Sequence, residues 1–412
     1  MASDDPALDE PTPTRAAGEA RLHDFAPRMG AQYAKRRNTD RGPGAHSDVS
    51  GLSPWLRRRL VLERDTVATA LAAHGPEGSA KFIEEVIWRG YFKGWLERRP
   101  QIWARYRDGR DADLARLGTQ PRLRRAVEAA ESGHTGLDCF DAWARELVET
   151  GYLHNHARMW FASIWIFTLA LPWRIGADFF LRHLLDGDPA SNTLGWRWVA
   201  GLHTRGKPYA ARAANIATFT QGRFTPRASE LADDVRGLEA EEPEGLPPVG
   251  PLRSPVAPDP ALPSALLITE EDCRVEDFDL AALDMRAAAT LNASHLRSSR
   301  PVAAAVARFE EGALADAVVR ARGPATPLQA GAPEDLAAWA GRAGARQIVT
   351  PYVPVGPLRD WLCAAEPALA ARGIGLCEWR RGWDAFIWPH ATAGFFKVRK
   401  QIPAILHDAG LS

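Results

Sequence analysis

At 412 residues, with 46% hydrophobic and 25% charged side chains, the composition is that of a folded, soluble protein of two domains. The 51 basic and 51 acidic residues cancel, but the basic excess lies between residues 20 and 230 and the acidic excess elsewhere; a basic first half suits a polyanion partner, or equally charged helix faces in solvent. Residues 1–25 lack the apolar core of a signal peptide, the run Met159–Trp173 is too short to span a bilayer, and Cys139, Cys273, Cys363 and Cys377 show no paired spacing, so a cytoplasmic protein with reduced thiols, no membrane partner and no metal is expected.

In chain order, residues 1–24 read as disordered, being rich in Asp, Glu, Pro and Ala. Residues 25–232 read as an all-α domain. Apolar side chains recur there at three- and four-residue spacing over 61–73, 81–97, 141–150, 156–171 and 176–185, with Gly, Pro, Ser and Asp between. Residues 233–263 are acidic and Pro-rich, the signature of a linker. Residues 264–412 alternate short buried strands (265–269, 347–350 and 373–378) with Ala-rich helices (300–311, 333–343 and 358–372), which predicts an α/β layer on a parallel sheet. Ten of the 15 tryptophans precede residue 200. Such an excess in one domain suits stacking or electron transfer as well as packing.

Residues 132–198 hold Thr135-Gly136 with Asp141, Gly151-Tyr152-Leu153-His154-Asn155, Arg158-Met159, Trp173-Arg174, Asp186-Gly187-Asp188, Asn192 and Gly195-Trp196-Arg197-Trp198, in that order. This series resembles the core of the flavin-binding domain in the photolyase/cryptochrome family. The resemblance implies FAD as cofactor and a multidomain α and α/β fold. The segments 264–279, 344–379 and 384–406 are similar to that family's light-harvesting antenna domain, in reversed order, with a second chromophore of unknown identity. Some prokaryotic members hold an iron–sulfur cluster on four cysteines; only Cys139 lies in the flavin-binding region, so none is expected.

The resemblance also assigns residues. Tyr33, Ser50, Leu52 and Ser53 match the phosphate-binding loop, with Val49 where the family has threonine. Ser53-Pro54 reads equally as an ordinary helix start. Arg158 matches an arginine that faces the isoalloxazine and interacts with the aspartate matched by Asp186, and Asp186 and Asp188 match flavin-ring and ribose contacts. Asp186 and Asp188, at i and i+2, cannot share a helix face and suit a loop; a calcium loop is the rival reading. Asn192 matches the residue opposite flavin N5, where an amide favours the reduced states that repair needs. Glu85, Trp88 and Arg89 share one helical face; Trp88 and Trp198 resemble the stacking walls of a lesion pocket, Glu85, Asn155 and Met159 its other contacts, and Arg89 a cofactor contact. His156 replaces a basic arginine. Trp196 and Trp173 resemble the inner members of an electron-transfer chain, with Trp103 the candidate for its surface end.

The function these residues imply is blue-light-driven splitting of cyclobutane pyrimidine dimers in DNA by electron transfer from excited reduced FAD. A photoreceptor signalling through a protein partner, without repair, is the alternative.

Overall fold

The computed structural model describes residues 11–411. Its first half is helical: α1 (Arg15–Phe25), α2 (Ala31–Arg36), α3 (Ser53–Arg57), α4 (Glu63–Glu97), α5 (Pro100–Thr119), α6 (Pro121–Glu131), α7 (Asp138–Thr150), α8 (Asn155–Ser163), α9 (Trp173–His183), α10 (Pro189–Val199) and α11 (Ala213–Phe219). The second half alternates: β1 (Ser264–Thr269), β2 (Met285–Asn292), α12 (Ala304–Ala321), β3 (Thr326–Gln329), α13 (Pro333–Arg342), β4 (Gln347–Pro351), α14 (Pro357–Ala370) and β5 (Gly375–Trp379), closing with α15 (Gly382–Ile387), α16 (Phe395–Arg399) and α17 (Ile402–Asp408).

Two sequence expectations are corrected and one is borne out. The N-terminal segment read as disordered folds from residue 15 as α1, started by the Thr14 hydroxyl accepting from Ala17 N. Its Gly18 lets the helix lie against Trp55 and Val61, where a Cβ would fall within 2.6–2.8 Å of both side chains, and Leu22 and Phe25 are buried. Residues 1–10 of that segment lie outside the described residues. The two helices expected over 61–97 both form; they run on within α4 across a kink where Gly75 takes a positive φ ahead of Pro76. The Pro-rich stretch 233–263 has little regular structure, yet it is strapped to both halves: Glu242 takes a bidentate bond from buried Arg197, Gly250 N donates to Arg98 O, and Arg253 pairs with Glu378 of β5.

Among the described residues the sheet has five strands, all parallel, in the order β3-β2-β1-β4-β5. Strands β2 and β3 had no counterpart in the sequence reading, because the alanines of β2 carry little strand signal. Side chains alternate across β1 as the pleat requires. Leu266 and Ile268 join the core continuous with the helical half, whereas Ala265 and Leu267 face Trp339 and Leu362 of α13 and α14. The order reverses between β1 and β4, the place where open α/β sheets usually bind ligands beyond the strand ends. Here Glu270 and Glu271, which follow β1, and Tyr352, which follows β4, are bonded to Arg57 and Glu97 of the helical half. That crevice is a docking face between the two halves.

Candidate functional site

The DGD loop sits between α9 and α10. Arg158, on α8, is aimed by its Nε bond to Leu153 O and donates from Nη2 to Asp186 Oδ2 at 2.9 Å. Burial would raise the Asp186 carboxyl, but the Arg158 guanidinium and the Ser53 hydroxyl hold it below the usual range. Its Oδ1 is buried with no partner, while Arg158 keeps 23% of its side chain accessible. The pair therefore holds a buried acceptor oxygen next to a partly accessible cation.

Asp188 caps α10, accepting from Ser191 N at 2.8 Å. Its other oxygen meets Lys93 Nζ at 3.2 Å and Arg89 Nη2 at 3.5 Å, with Arg57 4.0 Å away. Against burial, Lys93, Arg89 and Arg57 hold this carboxyl well below its ordinary value. Arg57 and Lys93 were missed from the sequence; the signal was the run Arg57-Arg58-Arg59 facing Glu270-Glu271-Asp272, two charge runs that nothing local connects. Arg89 also pairs with Glu63 at 3.1 Å, so the i,i+4 pair Glu85–Arg89 is not made.

Glu85 instead accepts from Arg37 at 3.0 Å and Lys81 at 2.9 Å. Tyr33 is buried edge-on to Phe82, beside Arg37 and Glu85, so α2 is tied to the outer face of α4. Leu52 is fully buried and starts α3, and Ser50 Oγ accepts from its N–H, whereas Ser53 is the first helical residue and makes no cap bond. Asn192 is buried on α10 and anchored by Nδ2 to Ala177 O at 2.8 Å. Asn155 is exposed at the start of α8, with Met159 half-buried one turn on. His156 stacks on Phe219 and is pushed down to about 4 by burial and then by Arg37, so it carries no charge at neutral pH.

The aromatic residues divide. Trp198 is half-buried and lies against Tyr209, ring centroids 5.4 Å apart and the planes tilted by 30°. Trp88 is not an open wall: its ring lies flat on Phe395 of α16, centroids 3.9 Å apart at 12°. Periodicity on α4 could not show this, because the covering residue comes from 307 positions away. Trp196 and Trp173 are buried and each indole N–H lacks a partner. Trp103, expected at the surface, is only 3% exposed, and its Nε1 donates to Asp360 of α14 at 2.8 Å.

The Asp40, His46 and Glu146 side chains form a metal-capable trio among the described residues. Asp40 there already accepts from Trp143 Nε1 and from Arg223 at 2.6 Å, and His46 Nε2 lies 2.9 Å from Glu146.

Residues 82–228, which hold Arg89, Arg158, Asp186, Asp188 and Asn192, match the family model described as the FAD binding domain of DNA photolyase. That stretch is similar to the FAD-binding domain of the photolyase/cryptochrome family. The chain is similar to the deoxyribodipyrimidine photo-lyase of Thermus thermophilus, 34% identical over 206 residues covering 50% of this chain and 47% of that one. It is also similar to that of Streptomyces griseus, 35% identical over 202 residues covering 48% and 41%. The chain thus spans about half the length of the curated relatives it matches. A solved class III photolyase from Agrobacterium tumefaciens is 27% identical, covers 54% of this chain and 46% of its own, and has a TM-score of 0.43, too low to argue from. FAD is the cofactor of this family's helical domain, and the residues present fit it: the unpartnered Asp186 Oδ1, reachable Arg158, the Ser50 and Ser53 hydroxyls and the fixed amide of Asn192 are the polar groups a flavin requires. Among the described residues no helix is long and apolar enough to cross a membrane.

Proposed function

We propose that this protein is a light-driven, FAD-dependent DNA repair enzyme that splits cyclobutane pyrimidine dimers. The observation that carries the reading is the match of residues 82–228 to the photolyase FAD domain, since that stretch contains Arg158, Asp186 and Asn192. Tyr33, Ser50, Leu52 and Ser53 would shape the phosphate side of the cofactor, Asp188 would contact its ribose with Arg89 beside it, and Arg158, Asp186 and Asn192 would face its ring. Bound FAD supplies one-electron chemistry on absorbing light. The chain's residues do the rest. Arg158 favours negative charge near the ring, and the anchored Asn192 amide leaves its oxygen to accept a proton donor there. Trp198 and Trp88 would stack a flipped lesion, Glu85 and Asn155 would hold its polar edges, and Met159 would close its apolar side.

The unit 264–412 is proposed as an antenna-like domain placed after, instead of before, the helical domain 25–232, with 233–263 as the connecting strap. A second chromophore would have to bind away from the β1/β4 crevice, which the helical half fills.

One observation favours the second reading, a blue-light receptor acting on a protein partner: Phe395 covers the Trp88 face that a base would use. The two separate in one experiment. The purified full chain is assayed for dimer loss from irradiated DNA, with and without blue light, and for salt-dependent preference for dimer-containing DNA. Light-dependent dimer loss supports repair. No dimer preference and no loss, with fully reduced FAD bound, overturns it in favour of the receptor.

A further inference from the structure

We infer that Asp360, on α14 of the sheet half, is the proton acceptor for Trp103, and that this pair makes Trp103 the resting place of the electron vacancy when light drives electrons inward along the helical half. The inference rests on the light-driven electron-transfer reading above.

Three rings lie in sequence. Trp173 and Tyr106 have centroids 6.0 Å apart, and Tyr106 and Trp103 5.3 Å apart. Trp196 approaches the inner end, its indole packing over Gly176, one turn along α9 from Trp173. Tyr106 was not among the residues singled out in the sequence, and it closes the gap between the two tryptophans.

The environments of the three rings differ in a direction. Arg174 places its guanidinium carbon 4.9 Å from the Trp173 ring centroid, and Arg110 lies 6.0 Å from that of Tyr106. A positive charge over a ring opposes removing an electron from it. The Trp173 N–H and the Tyr106 hydroxyl are both buried without a partner, so neither can shed the proton that oxidation makes acidic. Trp103 alone of the three has a base: Asp360 Oδ2 at 2.8 Å from Nε1. Asp360 is held in place by Arg107 Nη1 at 3.1 Å. It is 38% exposed, on a cleft of about 240 Å³ lined by Trp103, Arg107, Arg110, Asp360 and Trp361. Proton chemistry therefore favours the vacancy at Trp103, and the residue that completes the path comes from the other half of the chain.

The step balances. Trp196 and Trp173 would pass one electron to bound oxidised FAD, which would supply the light-driven oxidant. One electron then passes from the Trp103 indole through Tyr106 to Trp173. The Trp103 Nε1–H bond breaks and its proton forms a bond to Asp360 Oδ2, leaving a neutral indole radical beside a neutral carboxyl. Return of the electron along the same rings, with the proton returning to Nε1, restores the start.

Flash photolysis of the full chain loaded with oxidised FAD tests this, read on the tryptophan radical by transient absorption and electron spin resonance. Wild type is expected to give a long-lived, deprotonated tryptophan radical. Asp360→Asn keeps an acceptor oxygen for Nε1–H but not a base, so the radical should persist in its protonated form, deprotonating about a hundredfold more slowly, the low end of what a positioned base contributes. Trp103→Phe should abolish the long-lived radical. Deprotonation at the wild-type rate in Asp360→Asn, or an unchanged radical in Trp103→Phe, overturns the assignment while leaving light-driven electron transfer intact. No tryptophan radical in wild type overturns that reading, and this inference with it.

Discussion

Glu270 offers a direct measure of how the two halves are held together. Its carboxylate accepts from Arg297 Nη2 at 2.9 Å and Arg57 Nη2 at 3.4 Å and lies 3.2 Å from Arg58 Nη2, with all four side chains at most 5% exposed. Burial would raise this carboxyl, but Arg297, Arg57 and Arg58 outweigh it and hold it at about 2, against an ordinary 4.5. At ~1.4 kcal/mol per unit, that displacement is worth about 3 kcal/mol of stability. Glu270→Gln keeps the shape and leaves three buried guanidiniums short of an anion, a loss of about 3–5 kcal/mol by the usual cost of breaking a buried ion pair. The sign follows from a depressed folded-state value: the contribution is complete above pH 4.5 and is lost as pH falls through about 2. Neighbouring Glu310, raised by burial and by the charge of Glu270, titrates in the opposite sense and should be relieved by the substitution. Urea unfolding, which adds no ionic screening, is to be followed at a series of pH values from 7 down to 3. The variant should lose several kcal/mol at pH 7, and its deficit should shrink toward pH 3. A variant within ~1 kcal/mol of wild type at pH 7, or one that retains the full wild-type acid limb, would refute the reasoning.

Asn192→Asp places a carboxylate where the ring gains electrons and removes the Nδ2 donor to Ala177 O, so flavin reduction should become harder; unchanged midpoint potentials in spectroelectrochemistry would remove Asn192 from the ring. Trp196→Phe and Trp173→Phe should each slow photoreduction of bound FAD without releasing it, since neither indole N–H has a partner to lose. Equal photoreduction rates in both would take them off the electron path. Trp88→Ala should weaken dimer-DNA binding by about tenfold, at roughly 1–3 kcal/mol per stacked base. Phe395→Ala, which frees the Trp88 face, should strengthen it. If neither variant alters binding in a titration, Trp88 is a packing residue.

What the sequence determined by itself is local and ordered. Most of the helices, three of the five strands and the order of Arg158, Asp186, Asp188 and Asn192 could be read because periodicity, turn residues and motif spacing are properties of contiguous chain. The Arg158–Asp186 contact that the resemblance implied is present, joining two segments of that series. Tertiary structure decided everything that depends on distant segments meeting. Strand β2 forms because Ala287 to Leu291 are sheltered between β1 and β3, not because alanine favours strands. Helix α1 forms where composition suggested disorder, because Trp55 and Val61 receive its Gly18 face. Trp88 is capped, Trp103 is withdrawn from water and Arg57 is committed to Glu271 by residues about 210 to 310 positions along the chain. A side chain's own sequence states its chemistry and its face. Whether that face meets solvent, a cofactor or another part of the chain depends on which surfaces pack best together, and only the folded molecule decides that.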